Sequence, residues 1–341
     1  MKAWLEARLA RAWWRATPGV AGWALWPLSL AYGLLRRLHQ RGQHPQALPV
    51  PVLVVGNLVV GGAGKTPTVI ALVQALQARG HRPGIVSRGH GRHDRQPRAV
   101  AAGDHASAVG DEPLLLHRRC GVPVWVGADR VEAGRRLCAA EPQVDVLVSD
   151  DGLQHRRLAR RAAVVVFDER GAGNGLLLPA GPLREPLPPV LPAHSRVLYT
   201  AGRASTALPG VLATRRLQRA WPLAAWQAGD ATQAQPLAAL QGRPLLAAAG
   251  LAAPRKFFDM LTAAGLQFTA LPLPDHHPYT TLPWPAGSTD VLVTEKDAVK
   301  LDPARLGPTR VWVLPLDFAI PAALVDELSA LLFAHPAHPS P

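Results

Sequence analysis

The run Val52-Leu53-Val54-Val55-Gly56-Asn57-Leu58-Val59-Val60-Gly61-Gly62-Ala63-Gly64-Lys65-Thr66 constrains this chain more than any other stretch. An apolar, β-branched segment ends in glycines, and Lys-Thr follows just where a helical pattern begins. A buried strand, a tight turn and a helix N-terminus in that order predict an α/β unit. The chemistry of the turn suits a polyphosphate. Glycines let backbone N–H groups curl around phosphate oxygens, and the helix adds its positive end. Lys65 supplies a point charge and Thr66 a hydroxyl for Mg²⁺. The general P-loop pattern has Gly where this chain has Val59. Gly61 and Gly62 supply the flexibility instead. Val59, Val60, Gly61, Gly62, Ala63, Gly64, Lys65 and Thr66 are therefore the candidate nucleotide-binding residues.

The surrounding pattern alternates strands and helices. Strands are expected at 51–55, 82–87, 122–126, 144–148 and 163–167, and helices at 65–79, from 112, and at 130–140. Such alternation implies a mostly parallel sheet with helices on both faces, and ligands gather at the carboxyl ends of its strands. The proline-rich stretch 176–192 reads as extended, and 203–243 carries no strong pattern and reads as a connection. Strands at 244–248, 267–271, 290–294 and 310–314, with a helix at 254–264, form a smaller second α/β lobe. The expected organisation is an N-terminal segment 1–47, a P-loop core 48–202, a connection 203–243 and a C-terminal lobe 244–341.

Chemistry-bearing residues cluster at expected strand ends. The apolar run from Val144 ends at Ser149-Asp150-Asp151-Gly152-Leu153-Gln154-His155. A carboxylate there is the partner a P-loop needs, holding Mg²⁺ against the phosphates. Side chains alternate along a strand, so Asp150 and Asp151 cannot both face one ion. An ordinary strand followed by an Asp-Gly turn is the other reading, which the neighbouring P-loop disfavours. Gly110-Asp111-Glu112-Pro113 reads either as a helix N-cap or as a general base for a hydroxyl nucleophile. Asp275-His276-His277 reads as a solvated loop, or as a histidine from the second lobe facing Asp111 across a cleft and tuning its basicity. Ser87-Arg88-Gly89-His90-Gly91-Arg92, the stretch Gly171 to Pro186 with Asn174 and Gly181-Pro182-Leu183-Arg184-Glu185-Pro186, and Thr294-Glu295-Lys296-Asp297-Ala298-Val299-Lys300 are further polar islands, each compatible with mere surface.

Composition narrows the partners. Thirty-seven Lys and Arg against 24 Asp and Glu give a formal charge of +13, which favours anionic partners. Abundant Ala and Pro accompany the arginine, as in a chain from a GC-rich genome. No base-reading or stacking motif is visible, so nucleic acid is not expected as a partner. Cys120 and Cys138 lack metal or disulfide spacing. Near the N-terminus, Arg8, Arg11, Trp13, Trp14 and Arg15 precede an uncharged run from Gly19 to Leu35 containing Trp23, Trp26, Pro27 and Tyr32, and Arg36, Arg37 and Arg41 follow. A helix lying in a membrane interface fits best. A short spanning helix and a helix packed on the protein's own core are the other readings.

Taken in order along the chain, these motifs resemble the tetraacyldisaccharide 4′-kinase family of Gram-negative lipid A synthesis. The likeness rests on Val55-Gly56-Asn57 leading into Gly61-Gly62-Ala63-Gly64-Lys65-Thr66-Pro67, Ser87-Arg88-Gly89, Gly110-Asp111-Glu112-Pro113, Asp150-Asp151-Gly152-Leu153-Gln154-His155, Leu178-Pro179-Ala180-Gly181-Pro182-Leu183-Arg184-Glu185, Asp275-His276 and Thr294-Glu295-Lys296-Asp297. The family shares the departure at Val59, and His90 stands where it often has Tyr. The resemblance implies a P-loop NTPase-like α/β fold and ATP-dependent phosphorylation of the 4′-hydroxyl of a tetraacylated glucosamine disaccharide 1-phosphate. It also implies Mg²⁺ and an inner-membrane enzyme, peripheral or monotopic, with its catalytic lobes on the cytoplasmic side. On that basis Asp111 and His276 are the expected catalytic pair. Thr66, Asp150, Asp151 and Glu185 are expected near metal, and Asn57, Arg88, Glu112, His155 and Arg184 near substrate. No obligate protein partner is expected. A P-loop ATPase or GTPase switch, or a metallochaperone-type NTPase at the membrane, is the alternative that a phosphate-binding loop alone leaves open.

Overall fold

A computed structural model describes residues 9, 11–92 and 94–334; Arg8 and the Pro/His-rich end lie outside the described residues. The chain forms two units. One holds the described residues up to Arg88, Asp129–Thr214 and those from Ile320; the other holds Gly89–Ala128 and Arg215–Ala319. These are not the continuous segments expected from sequence. Residues 89–128 leave the expected P-loop core, and the end of the expected C-terminal lobe returns to the first unit. Hydrophobic periodicity reports which face of an element is buried, not which neighbour buries it.

In the first unit, α1 (Val20–Arg41) precedes β1 (Val52–Gly56), α2 (Lys65–Ala78) and β2 (Pro83–Ser87). After the excursion come α3 (Arg130–Ala140), β3 (Val146–Asp150), β4 (Ala162–Phe167), β5 (Ser195–Tyr199), β6 (Val211–Leu212) and α4 (Ala322–Phe333). The strands lie in the order β2-β3-β1-β4-β5-β6 and pair in parallel. Every residue of β1, β2, β3 and β4 is buried, as continuous apolar runs in a parallel sheet require. The register pairs Val55 with Asp150, so the Gly-rich turn and the paired acids emerge side by side at the carboxyl edge. β1 stands between β3 and β4, where the chain order reverses, and such a switch point is where ligands bind in open α/β sheets. α4 closes the unit with buried Leu324, Val325, Leu328 and Leu332, each contributing roughly 1.5–3 kcal/mol.

Two glycines hold the Asp150-Asp151 segment against β1. A Cβ on Gly152 would stand 2.3 Å from Ser149 Oγ, and one on Gly56 would stand 2.5 Å from Leu153 Cβ. Neither position admits a side chain without movement.

The second unit carries the strands Gln235–Pro236, Arg219–Pro222, Arg310–Leu314, Asp290–Thr294, Leu245–Ala249 and Phe268–Pro272, paired in that spatial order. The last four are parallel and the first two pairings antiparallel. Phe257, Phe258 and Leu261 of the helix Pro254–Ala263 pack with Leu245, Leu292 and Trp312. The helix Asp111–Cys120 meets the short helix Glu295–Ala298 through Arg119 and Glu295, 2.5 Å apart. The region 203–243, expected to be a connection, supplies Arg219–Pro222 to this sheet and the helix Leu223–Ala228. Its alternating small and polar residues hide the pattern. The expected extended stretch 176–192 is instead a series of tight turns, with Leu183 bridged to Val59 and Leu177.

Candidate functional site

The Gly-rich turn ends β1 and opens α2. Gly61 and Gly64 have φ of +88° and +90°, conformations that favour glycine, and Gly64 is the N-cap of α2. A Cβ on Gly64 would also meet Thr200 Cγ2 at 2.9 Å. Asn57 and Lys65 brace the turn from within. Asn57 Nδ2 donates to Gly61 O at 3.2 Å, and Lys65 Nζ donates to Asn57 Oδ1 at 3.3 Å. The Thr200 hydroxyl donates to Ala63 O at 3.0 Å, and Arg170 Nη2 to Gly62 O at 2.8 Å. Arg170 is held by the fully buried Asp168, with contacts of 2.9 and 3.1 Å from Nε. Sequence reasoning missed Asp168, although it ends the buried run Ala162–Phe167 just as Asp150 ends β3. Thr200 carries no comparable signal.

Asp150 ends β3 and Asp151 follows it, and the two carboxylates diverge. Asp150 is buried and accepts from Ser87 Oγ at 3.1 Å. Asp151 turns out of the strand with φ +48° and faces Lys65 Nζ at 3.6 Å and Arg184 Nη1 at 3.3 Å. Burial opposes its ionisation, but Lys65, Arg184 and Arg130 outweigh burial and hold its carboxyl below the usual range. Buried Arg130 reaches the Asp151 carbonyl at 3.5 Å. Gln154 bridges this group, donating to Asn57 O at 2.9 Å and to Glu185 Oε1 at 3.1 Å.

Glu185, expected near metal, sits between Arg36 at 2.9 Å and Arg156 at 3.6 Å. His155 lies 3.7 Å from Asp129, and burial followed by the nearby Arg130 pushes its imidazole down to about 4, so it is neutral at physiological pH. Arg88 closes the first stretch of the first unit, with its charge close enough to Arg130 to depress that residue's pKa, after burial. Among the described residues no group of three or more His, Cys, Asp and Glu is disposed to hold a metal ion.

In the second unit, Asp111 opens its helix after Gly110, whose φ of +95° suits glycine. His276 Nδ1 donates to Asp111 Oδ2 at 2.8 Å. The two were expected to face each other from different lobes; they belong to one unit, because residues 89–128 fold with 215–319. Lys300 Nζ lies 3.8 Å and Lys296 Nζ 4.0 Å from the same oxygen. Lys296 also reaches Glu112 at 3.1 Å, Asp275 at 3.5 Å and His276 Nε2 at 3.3 Å. Burial alone would raise the Asp111 pKa; the His276 hydrogen bond and the two lysines reverse this and lower it. The hydrogen bond to Asp111 raises His276 in turn, against burial and Lys296. The His90 ring lies 5.5 Å from that of His276. Lys296 and Lys300 were visible in sequence only as members of a polar island, since nothing local marks their partner Asp111.

A Gly-rich turn at a helix N-terminus, its lysine paired with a carboxylate on the adjacent strand end, defines a P-loop phosphotransferase-type protein. The comparisons narrow this to one family. The model for tetraacyldisaccharide-1-P 4′-kinase matches residues 21–332, and the chain belongs to that family. It is 56% identical to the tetraacyldisaccharide 4′-kinase of Leptothrix cholodnii, covering 96% of each chain. It is 52% identical to the enzyme of that name in Methylibium petroleiphilum, over 97% of this chain and 95% of that one. The crystal structure of the "apo" form of LpxK from Aquifex aeolicus in complex with ATP superposes with a TM-score of 0.74 at 26% identity, covering 92% of this chain and 99% of that one. The protein is therefore a kinase of lipid A biosynthesis that phosphorylates the 4′ position with ATP as donor.

Proposed function

We propose that the Gly-rich turn, Asp151 and the Asp111–His276 pair carry the donor, electrostatic and acceptor parts of that transfer. The observation that carries this reading is Lys65 standing 3.6 Å from Asp151 and 3.3 Å from Asn57 at the mouth of the turn. The backbone N–H groups of residues 59–66 and the positive end of α2 would receive the β- and γ-phosphates, with Lys65 countering their charge. Asn57 accepts from Lys65, and Lys65 together with Arg184 keeps Asp151 ionised.

The Thr66 hydroxyl and one of the two carboxylates, Asp150 or Asp151, are hard oxygen donors, a set that suits Mg²⁺ sharing its shell with phosphates and water. These residues would hold the ion, which neutralises charge on the phosphates when bound. Glu185 is less suited to that role, being engaged by two arginines.

Asp111 is the proton acceptor for the 4′-hydroxyl. Its depressed pKa keeps it a carboxylate at neutral pH, and His276 orients it through the 2.8 Å hydrogen bond. Glu112 and Lys296 complete a charged rim for a phosphorylated sugar. Arg88 and His155 are weaker candidates for substrate binding.

α1 supports a peripheral attachment to lipid. Its Val20, Trp23, Leu30, Leu34 and Leu35 are exposed, and Arg36, Arg37 and Arg41 flank them. Among the described residues no helix is long and apolar enough to cross a membrane. An interfacial helix on the cytoplasmic face of the inner membrane would present the enzyme to an acylated, anionic disaccharide.

The test is transfer of label from γ-labelled ATP to the lipid A disaccharide precursor in detergent with Mg²⁺. Label in the lipid fraction, lost on chelation, is the expected result. Nucleotide hydrolysis without a labelled lipid would favour the switch-type NTPase.

A further inference from the structure

α1 is amphipathic in the inverted sense. Its solvent side carries large apolar residues, with Val20 89% and Leu35 67% exposed, while its two buried residues, Gly22 and Ser29, are small. Ser29, Tyr32 and Arg36 lie at helical spacing on one face. Each makes a specific bond to the turns between Leu176 and Glu185. Ser29 Oγ donates to Leu177 O at 2.8 Å and accepts from Ala180 N at 3.0 Å. Tyr32 Oη donates to Arg184 O at 3.0 Å. Arg36 Nη1 bonds Glu185 Oε2 at 2.9 Å, with both side chains more than four-fifths buried. A hydrophobic anchor needs no such pairing. A largely buried ion pair carries a desolvation cost and contributes mainly when its geometry is specified.

The far end of this chain of bonds is the phosphate site. Arg184 reaches Asp151 at 3.3 Å and Gln154 Oε1 at 3.3 Å. The other oxygen of Glu185 accepts from Gln154 Nε2, which also bonds Asn57 O, and Asn57 accepts from Lys65. Every link lies within the first unit.

We propose that Tyr32 and Arg36 of α1 are positioning residues for phosphoryl transfer. They fix the Arg184-Glu185 step, so that Arg184 meets Asp151 and Gln154 braces Asn57 and Lys65. The helix facing lipid is thereby part of the frame that sets the phosphate-site cations. The proposal rests on the kinase reading for its assay, and on α1 being more than an attachment.

The experiment uses the full chain in detergent with saturating ATP and lipid precursor, beside vesicle partition and thermal melting. Arg36→Gln should lower kcat between about tenfold and 10²-fold, as small misplacements of reacting groups do, without an equal rise in the lipid KM. Tyr32→Phe, which removes one hydroxyl, should lower kcat about fivefold. Arg36→Lys should recover part of the loss. In a double-mutant cycle Arg36→Gln with Glu185→Gln should be no worse than the more damaging single change, because both break one path. The proposal is overturned if Arg36→Gln keeps wild-type kcat at saturation while only its melting or its partition to vesicles changes. It is overturned equally if the Arg36 and Glu185 effects simply add. Absence of transfer by the wild-type chain would instead refute the kinase reading itself.

Discussion

The Gly-rich turn and the Asp111–His276 cluster solve the same electrostatic problem in opposite ways. In the first, backbone geometry is specified locally: Gly61, Gly64 and Lys65 are near neighbours, and positive φ does the shaping. In the second, a carboxylate meets a histidine 165 positions away, and two lysines from a third segment complete the group. Both end with an ionised aspartate beside cations. The first is read from a motif, whereas the second exists only once 89–128 folds with 215–319.

Six substitutions would break or sharpen this contrast. The largest effect is expected for Asp111→Ala, a loss of about 10²–10⁴-fold in kcat with the ATP KM nearly unchanged. A raised ATP KM with kcat spared, in steady-state kinetics, would make Asp111 a binding residue. Lys65→Met should cost about 10²–10³-fold, comparable to removing one preorganised donor, and should weaken nucleotide binding in a direct titration as well. The two regions are then separated by which parameter moves.

His276→Gln changes pH dependence more than maximal rate. The His276 bond is the largest influence lowering the Asp111 pKa, so its loss lets burial raise that pKa. The acid limb of kcat against pH should shift upward, and Lys296→Met should move it the same way. An unmoved limb would show that Asp111 does not set it. The ion pair also links to stability. Its His276 share is complete below the ordinary imidazole pKa and fades as pH rises through the raised value.

The smallest expected effect is on stability. Gly152→Ala places a Cβ against Ser149 Oγ and should destabilise the first unit by about 1–3 kcal/mol, read as a lower denaturation midpoint. Gly242→Ala is the contrast, since a Cβ there meets nothing and only its φ of +77° is strained.

Much of the first unit was legible because its signals are contiguous. The buried runs of β1 and β3, the helix α3 and the turn before α2 lie within a residue or two of where the pattern put them. Asp168-Glu169 closes a buried apolar run just as Asp150-Asp151 does, but Arg170 rather than a glycine follows it, so no Asp-Gly turn marks the place. The strand Arg219–Pro222 was hidden by its polar and proline residues, and the turns after Leu176 were mistaken for extended chain. The partners of Glu185 were not legible at all, since an acid after an arginine gives no hint of Arg36 on a distant helix.

By itself the sequence determined the strand-turn-helix unit, the acids at the next strand end and the family to which these belong. Those depend on backbone conformations and periodicities set by neighbouring residues. The tertiary structure alone decided that residues 89–128 join the second unit, that Asp111 and His276 share it, and that α1 turns its polar face inward. The physical reason is that burial and ion pairing are satisfied by whichever groups folding brings together, and hydrophobic pattern names the buried face without naming what covers it.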